Sequence, residues 1–117
     1  MDTFKFQDLF ILDIANNHQG DVSHAEKLID ELALVIETEG VYAAIKFQFR
    51  QLDTFIHPKH RHDSNAKHVD RFLSTALDAN QYEHLVSIVR KHNIVTMCTP
   101  FDEESVELIK NMDIEVI

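Results

Sequence analysis

Residues 9–15 have the sequence LFILDIA, residues 42–49 have YAAIKFQF and residues 94–98 have IVTMC. Each segment is short and nearly continuously apolar, which is typical of a parallel strand that is covered on both faces. Helical patterns separate the three segments. This alternation predicts an α/β chain with a parallel sheet and right-handed crossovers.

The predicted helices follow the usual start and stop signals. Ser23 and Glu26 match a capping box, and Gly40 stands where a left-handed C-terminal cap is expected. The apolar stripe of this first helix comprises Ala25, Leu28, Ile29, Leu32, Val35 and Ile36. Residues 69–77 suggest a short helix, and Asp78 is placed to cap a longer one that ends at Lys91.

The end of the sequence continues the same alternation. Thr99 and Pro100 lead into another helix, with Val106, Ile109 and Met112 predicted to be buried, and residues 114–117 suggest the opening of a fourth strand. Two folds fit this order: an open doubly wound sheet, or part of a (β/α)8 TIM barrel. A full barrel needs about 200 residues or more. The 117 residues therefore predict three to four βα units, the N-terminal portion of a barrel.

Composition restricts the classes of partner. The formal net charge of −9 argues against nucleic acid or an anionic membrane, because both require a basic surface. The single cysteine, Cys98, lies in an apolar run, which favours a buried strand position over a catalytic thiol. The sequence has neither a signal-peptide pattern at its start nor an apolar run of about 20 residues. We therefore expect a cytoplasmic protein.

Four polar residues, Asp13, Lys46, Gln48 and Thr99, fall near the carboxyl ends of the three predicted strands. Ligands bind at these strand ends in both candidate folds. The residues suggest a binding site, but a structural Asp13–Lys46 ion pair between adjacent strands is an alternative. Likewise, Thr99 has the alternative role of organising the turn before Pro100.

The long polar segment from Arg50 to Lys67 contains His57, His60 and His62. Imidazoles are common metal ligands, but no regular structure is predicted to aim these three. A mobile basic flap that attracts phosphate or carboxylate fits the segment better than a metal site does. A solvated surface loop fits the segment as well as the flap does. The basic residues of this flap are Lys59, Arg61, Lys67 and Arg71.

Three motifs resemble those of the N-acetylneuraminate (sialic acid) synthase family. Residues 11–20 resemble the first-strand motif of these enzymes, residues 44–48 resemble their second-strand Val-Lys-Phe-Gln motif, and residues 98–106 resemble the Ser-Thr-Pro-Phe-Asp motif after their third strand. The motifs occur in the family's order, and the resemblance covers essentially the whole chain.

The resemblance implies a transferase that forms a C–C bond between phosphoenolpyruvate and N-acetylmannosamine, a related amino sugar or its 6-phosphate. It implies that Lys46 holds phosphoenolpyruvate, that Thr99 binds its phosphate or carboxylate, and that Asp13 orients water or the sugar and manages protons. Gln48 matches a residue near the sugar, and Asn65 matches a sugar-binding asparagine. Family members form dimers, so a homo-oligomer is expected.

The chain departs from the family pattern in two places. Asp13 replaces the usual Glu, which shortens the reach of the carboxylate, and Ala15 stands where Gly is common. By the resemblance, manganese or magnesium is the cofactor, with ligands outside this chain. A second phosphoenolpyruvate-binding lysine and the antifreeze-like C-terminal domain are also outside residues 1–117, so we expect the chain alone to be inactive.

Two other functions stay open at this point. The chain is alternatively a self-associating βα binding module, because a partial barrel exposes strand edges and apolar sheet faces. A third possibility is another phosphate-handling barrel enzyme, which requires the three motif matches to be accidental.

Overall fold

The sheet of the protein has three parallel strands in the order β1-β2-β3, which confirms the predicted α/β class. A computed structural model describes residues 3–63 and 65–117. The first two residues, at the start of the sequence where no signal-peptide pattern is found, lie outside the described residues. The strands are β1 (Leu9–Asp13), β2 (Tyr42–Phe49) and β3 (Val95–Pro100).

Five α-helices and one 3₁₀ helix connect the strands within the described ranges. They are α1 (Val22–Glu39), α2 (Leu52–Phe55), the 3₁₀ helix Pro58–His60, α3 (Val69–Ser74), α4 (Ala79–Lys91) and α5 (Glu103–Asn111). None of these helices is both long and apolar enough to cross a bilayer. The helix predicted over residues 69–77 is real but ends at Ser74, and the long polar segment contains α2 and the 3₁₀ helix.

One face of the sheet packs against the helices and forms the main core. Ile45, Phe47 and Phe49 of β2 and Cys98 of β3 lie on this face, with buried residues of α1, α4 and α5 against them. Burial raises the pKa of the Cys98 thiol to about 12, so the thiol is protonated at neutral pH. Cys98 is therefore a core residue, as its apolar setting predicted.

The opposite face carries the polar residues. Successive side chains of a strand point to opposite faces, and Lys46 and Gln48 therefore lie on the face that Phe47 does not occupy. Nearer the amino ends of the strands, a smaller apolar cluster of Ala44, Val95 and Met97 covers the same face. In a barrel this is the inner face, with a packed layer below and polar strand ends above.

The last residues begin to extend the sheet beside β3. The Val116 nitrogen donates to the Thr96 oxygen at 3.2 Å, and the Cys98 nitrogen donates to the Val116 oxygen at 3.1 Å. These bonds form a single parallel bridge between Met97 and Val116. The predicted fourth strand is therefore present as a single bridge beside β3.

Two details of the predicted first helix are wrong. Its N-cap is Asp21, whose carboxylate accepts from the His24 nitrogen at 3.2 Å, so Ser23 lies inside the first turn and forms no capping box. Val35 is exposed, and Ala33 takes the inner position instead. The left-handed cap at Gly40 and the N-cap at Asp78 are confirmed, and Asp78 forms a capping box with Gln81.

Strand β1 is shorter and less covered than predicted. It ends at Asp13, because the Asp13 carboxylate accepts from the Ala15 nitrogen at 2.9 Å and Ala15 turns the chain with a φ of 49°. A positive φ favours Gly over a residue that carries a Cβ, so Ala15 is an unusual residue at this turn. Phe10 is 56% exposed and Ile11 51% exposed, since β1 is an edge strand within the described residues.

Gly20 holds the loop after β1 close to the end of α3. Its φ is +74°, and a Cβ placed on it would lie 2.7 Å from the Ser74 carbonyl oxygen. We expect Gly20→Ala to destabilise the chain by about 2 kcal/mol or more, because left-handed strain and a backbone clash add. Denaturant unfolding, followed by circular dichroism, measures this change in the free energy of unfolding.

Gly40→Ala is the matched control for this substitution. Gly40 also has a positive φ, of +63°, but no heavy atom lies within 4 Å of the position that a Cβ would take. We expect it to cost about 1 kcal/mol, from strain alone. Equal losses for the two variants would show that the loop does not contact α3 as described.

Candidate functional site

An ion pair joins the ends of β1 and β2. Asp13 and Lys46 are register partners, and the Lys46 Nζ lies 2.9 Å from the Asp13 Oδ2. The side chains are 24% exposed for Lys46 and 37% exposed for Asp13, so both charges reach solvent. An ion pair in this position holds the Lys46 ammonium in place and leaves it accessible to an anion from solvent.

Gln48 and Thr99 form the neighbouring pair between β2 and β3. They are register partners on the same face as Lys46, and both are half-buried. The structure therefore brings together four of the residues that the sequence suggested: Asp13, Lys46, Gln48 and Thr99. We call these four residues the strand-end cluster. It combines one cation, one carboxylate, one amide and one hydroxyl.

Arg50 follows β2 and contacts the cluster through Gln48. Its Nη2 donates to the Gln48 Oε1 at 3.1 Å. Its guanidinium carbon lies 4.3 Å from the ring centroid of Phe101, 4.5 Å from that of Phe72 and 5.2 Å from that of Phe55. Cation–π attraction to three rings from separate segments holds the guanidinium in one place, and Arg50 in turn orients the Gln48 amide.

Asp102 connects the segment after β2 to the start of α5. Its Oδ2 accepts from the Gln51 nitrogen and its Oδ1 from the Ser105 nitrogen, each at 2.7 Å. Burial raises the pKa of this carboxyl, but the hydrogen bonds from Ser105 and Gln51 outweigh burial, and the pKa of Asp102 lies below its ordinary value. Asp102 is thus ionised, and its two hydrogen bonds join the segment that follows Arg50 to the start of α5.

The loop after β1 closes one side of the site. His18 is 2% exposed, and its Nδ1 accepts from the Gly20 nitrogen at 3.0 Å. Burial, with a smaller contribution from His24, lowers the pKa of His18, which matches a neutral ring. The buried ring fixes the loop that carries Asn16 toward the cleft.

A cleft of ≈360 Å³ opens beside the strand-end cluster. It lies between the ends of β1 and β2 and the start of α4, and Asn16, Gln48, Arg50, Gln81 and Tyr82 line it with polar atoms. Polar groups that converge on a half-apolar cleft are the usual features of a small-molecule site.

Tyr82 fastens α4 to the end of β2. Its hydroxyl donates to the Gln48 carbonyl oxygen at 2.9 Å, and burial raises the pKa of Tyr82 to about 12.

We expect Tyr82→Phe to lower the free energy of unfolding by about 1 kcal/mol, because one buried hydrogen bond is lost while the shape of the side chain is otherwise kept. Tyr42→Phe, at an exposed tyrosine, should change the free energy by less than about 0.5 kcal/mol in the same urea titrations. Equal effects would contradict the assigned role of the Tyr82 hydroxyl.

Asn65 is the predicted site residue that the structure does not bring to the cluster. It is exposed in the long loop, where its backbone nitrogen donates to the Asp63 Oδ1 at 3.0 Å. It lines neither the cleft beside the cluster nor a smaller one next to it. The hydrogen bonds found in the described residues do not connect its side chain to the strand-end cluster.

Sequence reasoning missed Arg50, Asn16 and Tyr82. A signal for Arg50 was present, because Lys46, Gln48 and Arg50 continue one polar series at the two-residue spacing of a strand face. Asn16 and Tyr82 had no comparable signal, since their roles depend on contacts between distant segments.

The described residues do not provide a metal site. Over residues 3–63 and 65–117, no group of three or more His, Cys, Asp or Glu side chains could hold a metal ion. In the histidine-rich loop, the His57 Nδ1 accepts from the Lys59 nitrogen at 3.2 Å, and the His60 Nδ1 lies 3.4 Å from the Asp63 Oδ2. The donor set expected for manganese or magnesium is therefore not found in this part of the chain.

Comparison with known proteins decides the family. The family model described as NeuB family matches residues 36–117, well over half of the chain. The chain belongs to the NeuB family. This result confirms the resemblance noted in the sequence, and the matched range includes Lys46, Gln48 and Thr99.

Solved structures agree with the NeuB assignment. A spore coat polysaccharide biosynthesis protein E from Chromobacterium violaceum ATCC 12472 is 39% identical, with a TM-score of 0.89, over 94% of this chain and 33% of that one. An N-acetylneuraminic acid (sialic acid) synthetase from Leptospira borgpetersenii serovar Hardjo-bovis, in complex with citrate, is 25% identical, with a TM-score of 0.71, over 93% and 34%.

A third structure, the spore coat polysaccharide biosynthesis protein spsE of Bacillus subtilis, is 26% identical with a TM-score of 0.59, over 92% of this chain and 28% of that one. No curated protein sequence matches the chain significantly. This NeuB-family chain thus spans about a third of the length of the solved structures it matches, and its fold is a partial (β/α)8 barrel.

Proposed function

We propose that this chain provides the phosphoenolpyruvate-binding end of a sialic-acid-type synthase, which condenses phosphoenolpyruvate with N-acetylmannosamine or a related amino sugar. The observation that carries the proposal is the placement of the Lys46 ammonium, partly exposed and fixed by Asp13, at the carboxyl edge of a parallel sheet. Membership of the NeuB family and the likeness to a sialic acid synthetase support it.

Lys46 and Thr99 are assigned to phosphoenolpyruvate. This substrate carries a phosphate and a carboxylate, and a fixed ammonium is a strong partner for either because a charge-assisted hydrogen bond forms. Thr99 lies across from Gln48 on the next strand and offers a hydroxyl donor on the same face. Binding requires Lys46 to share its protons between Asp13 and the substrate, which the solvent exposure of both side chains permits.

Asp13 is assigned the acid–base role. In the proposed reaction, C3 of phosphoenolpyruvate attacks the sugar aldehyde, water adds at C2 and phosphate leaves. A carboxylate that already accepts from Lys46 and from the Ala15 nitrogen is oriented to position water and to accept its proton. Asp13 is one methylene shorter than Glu, so its carboxylate stays close to the backbone, where it accepts from the Ala15 nitrogen.

Gln48 is assigned to the sugar. Arg50 fixes the Oε1 of its amide, and the amide nitrogen, which has no hydrogen-bond partner within the described residues, can donate to a sugar hydroxyl or carbonyl. Asn65 lies in the exposed loop, and its proposed contact with the sugar requires that loop to close over the cleft.

The remaining groups of the site are assigned to the two thirds of the relatives' length that this chain does not match. A divalent metal, manganese or magnesium, would supply polarisation of the aldehyde when bound, and its ligands are among these remaining groups because the described residues provide no ligand set for it. A homo-oligomer, a cytoplasmic location and inactivity of the 117 residues alone are parts of the same proposal.

Phosphate release tests this function. Phosphoenolpyruvate, N-acetylmannosamine and manganese are supplied to the longest natural protein that carries this chain and, separately, to the 117 residues alone. We expect release from the former and none from the latter. Release by the 117 residues would overturn the assignment of essential groups elsewhere, and silence of the longer protein with every N-acetylated amino sugar would overturn the synthase function.

Exposed apolar side chains on β1 favour a second candidate, a self-associating βα module. Phe10 and Ile11 are each about half exposed on an edge strand of the described sheet, and such an edge can pair with another chain. Analytical ultracentrifugation separates the candidates. A concentration-dependent oligomer without phosphate release would favour the module.

A further inference from the structure

Two arginine side chains flank a second cleft next to the strand-end cluster. The cleft has a volume of ≈270 Å³, and its lining residues are Asn16, Gln48, Arg50, His68, Arg71 and Phe72. Arg50 reaches the cleft from the end of β2, and Arg71 reaches it from α3. The lining residues include two arginines, one histidine, one asparagine and one glutamine, and no aspartate or glutamate of the described residues is among them.

Neither arginine has an internal counter-charge in the part of the chain that the structure describes. The ion pairs found there involve Lys46, Lys110 and three histidines, but not Arg50 or Arg71. The chain has 20 acidic and 11 basic residues, so two unpaired guanidinium groups at one cleft run against its overall charge. Clustered like charges in a concave surface focus the potential and attract anions.

The guanidinium of Arg50 is held in place by contacts within the chain. Three phenylalanine rings surround its guanidinium, and the bond to Gln48 uses one of its five N–H donors. The other donors are available to a ligand. A guanidinium that is fixed before binding loses little side-chain freedom when it forms two parallel bonds to an oxyanion.

We propose that this cleft is an oxyanion subsite, in which Arg50 and Arg71 bind a phosphate or carboxylate group and Asn16 donates a further hydrogen bond. The proposal rests on the proposed synthase function for the identity of the ligand. Gln48, assigned to the sugar, lines both clefts, whereas Lys46 and Thr99 are assigned to phosphoenolpyruvate. The anionic group therefore belongs to the acceptor sugar.

Arg71→Gln tests the subsite, because Arg71 is exposed and its removal leaves the core intact. Calorimetric titrations of the longest natural protein that carries this chain use four probes: inorganic phosphate, phosphoenolpyruvate, N-acetylmannosamine and its 6-phosphate. We expect the 6-phosphate to bind about tenfold more tightly than the neutral sugar, and Arg71→Gln to remove this difference. The preference should also fall as ionic strength rises.

Lys59→Gln is the matched control, because Lys59 is an exposed cation in the 3₁₀ helix between α2 and α3 and lines neither cleft. It should leave the affinity for each of the four probes within about twofold of the wild-type value.

Equal affinities of the wild-type protein for the two sugars, with phosphoenolpyruvate bound normally, would overturn the subsite and leave the proposed function standing. A loss of phosphoenolpyruvate affinity in Arg71→Gln would instead overturn the assignment to the acceptor. Binding of inorganic phosphate tests the subsite independently of the proposed synthase function. An unchanged phosphate affinity in Arg71→Gln would overturn the subsite.

Discussion

Replacing Lys46 by Met should weaken phosphoenolpyruvate binding about 100-fold, since the substrate loses its charge-assisted hydrogen bond to the ammonium. Lys46 is half-buried between Asp13 and Met97 in register, so a methionine of similar length fits the position. The variant also leaves the Asp13 carboxylate without its cation and beside the bound anion, which adds repulsion. Calorimetric titration of the longest natural protein carrying this chain measures the affinity.

Lys110→Met is the control for this experiment. Lys110 is 59% exposed in α5, where its Nζ lies 3.3 Å from the Glu107 Oε1, three residues earlier on the same helix. An exposed ion pair contributes little, so phosphoenolpyruvate affinity should stay within about twofold of the wild-type value. If Lys46→Met is folded, as thermal unfolding would show, and binds phosphoenolpyruvate like the wild type, the assignment of Lys46 is wrong.

Replacing Phe47 by Ala should lower the free energy of unfolding by about 3–5 kcal/mol, the range for a buried aromatic that leaves a cavity. Phe47 is 1% exposed and lies at the centre of the core between β2 and the helices, with its ring centroid 6.2 Å from that of Tyr82. The loss is expected to exceed that of a substitution at any exposed side chain. Denaturant titration of the 117-residue chain measures it.

Phe10→Ala provides the comparison on the same face of the sheet. Phe10 is 56% exposed on β1, so truncation should cost less than about 1 kcal/mol in the 117-residue chain. The contrast between the two phenylalanines tests the face assignment directly. Similar losses at the two positions would contradict the described packing of β1 at the edge of the sheet.

The strands were predictable because their signals are local. Tyr42–Phe49 was predicted with the bounds that the structure has, since a continuous apolar run with two polar residues at a spacing of two is typical of a covered strand. The burial of β1 was not predictable in the same way. Coverage of Phe10 and Ile11 depends on the elements beside β1, and within the described residues β1 has a neighbour on one side.

The part of the site that lies on the strands was predictable, because strand register determines which residues are neighbours. Parallel strands align their carboxyl ends, so Asp13, Lys46, Gln48 and Thr99 had to meet once the three strands were found. The surroundings of Arg50 were not predictable, because the three rings come from α2, α3 and the segment after β3. The position of Asn65 was not predictable either, since a residue in a long loop has no register that fixes its neighbours.

A structure of the protein bound to phosphoenolpyruvate would show whether Lys46 holds this substrate. We expect a substrate oxygen within about 3 Å of the Lys46 Nζ, with a second oxygen at hydrogen-bond distance from the Thr99 hydroxyl. The Asp13–Lys46 pair should then be shared or opened. Phosphoenolpyruvate bound away from the strand-end cluster, with the 2.9 Å ion pair unchanged, would contradict the proposed role of Lys46.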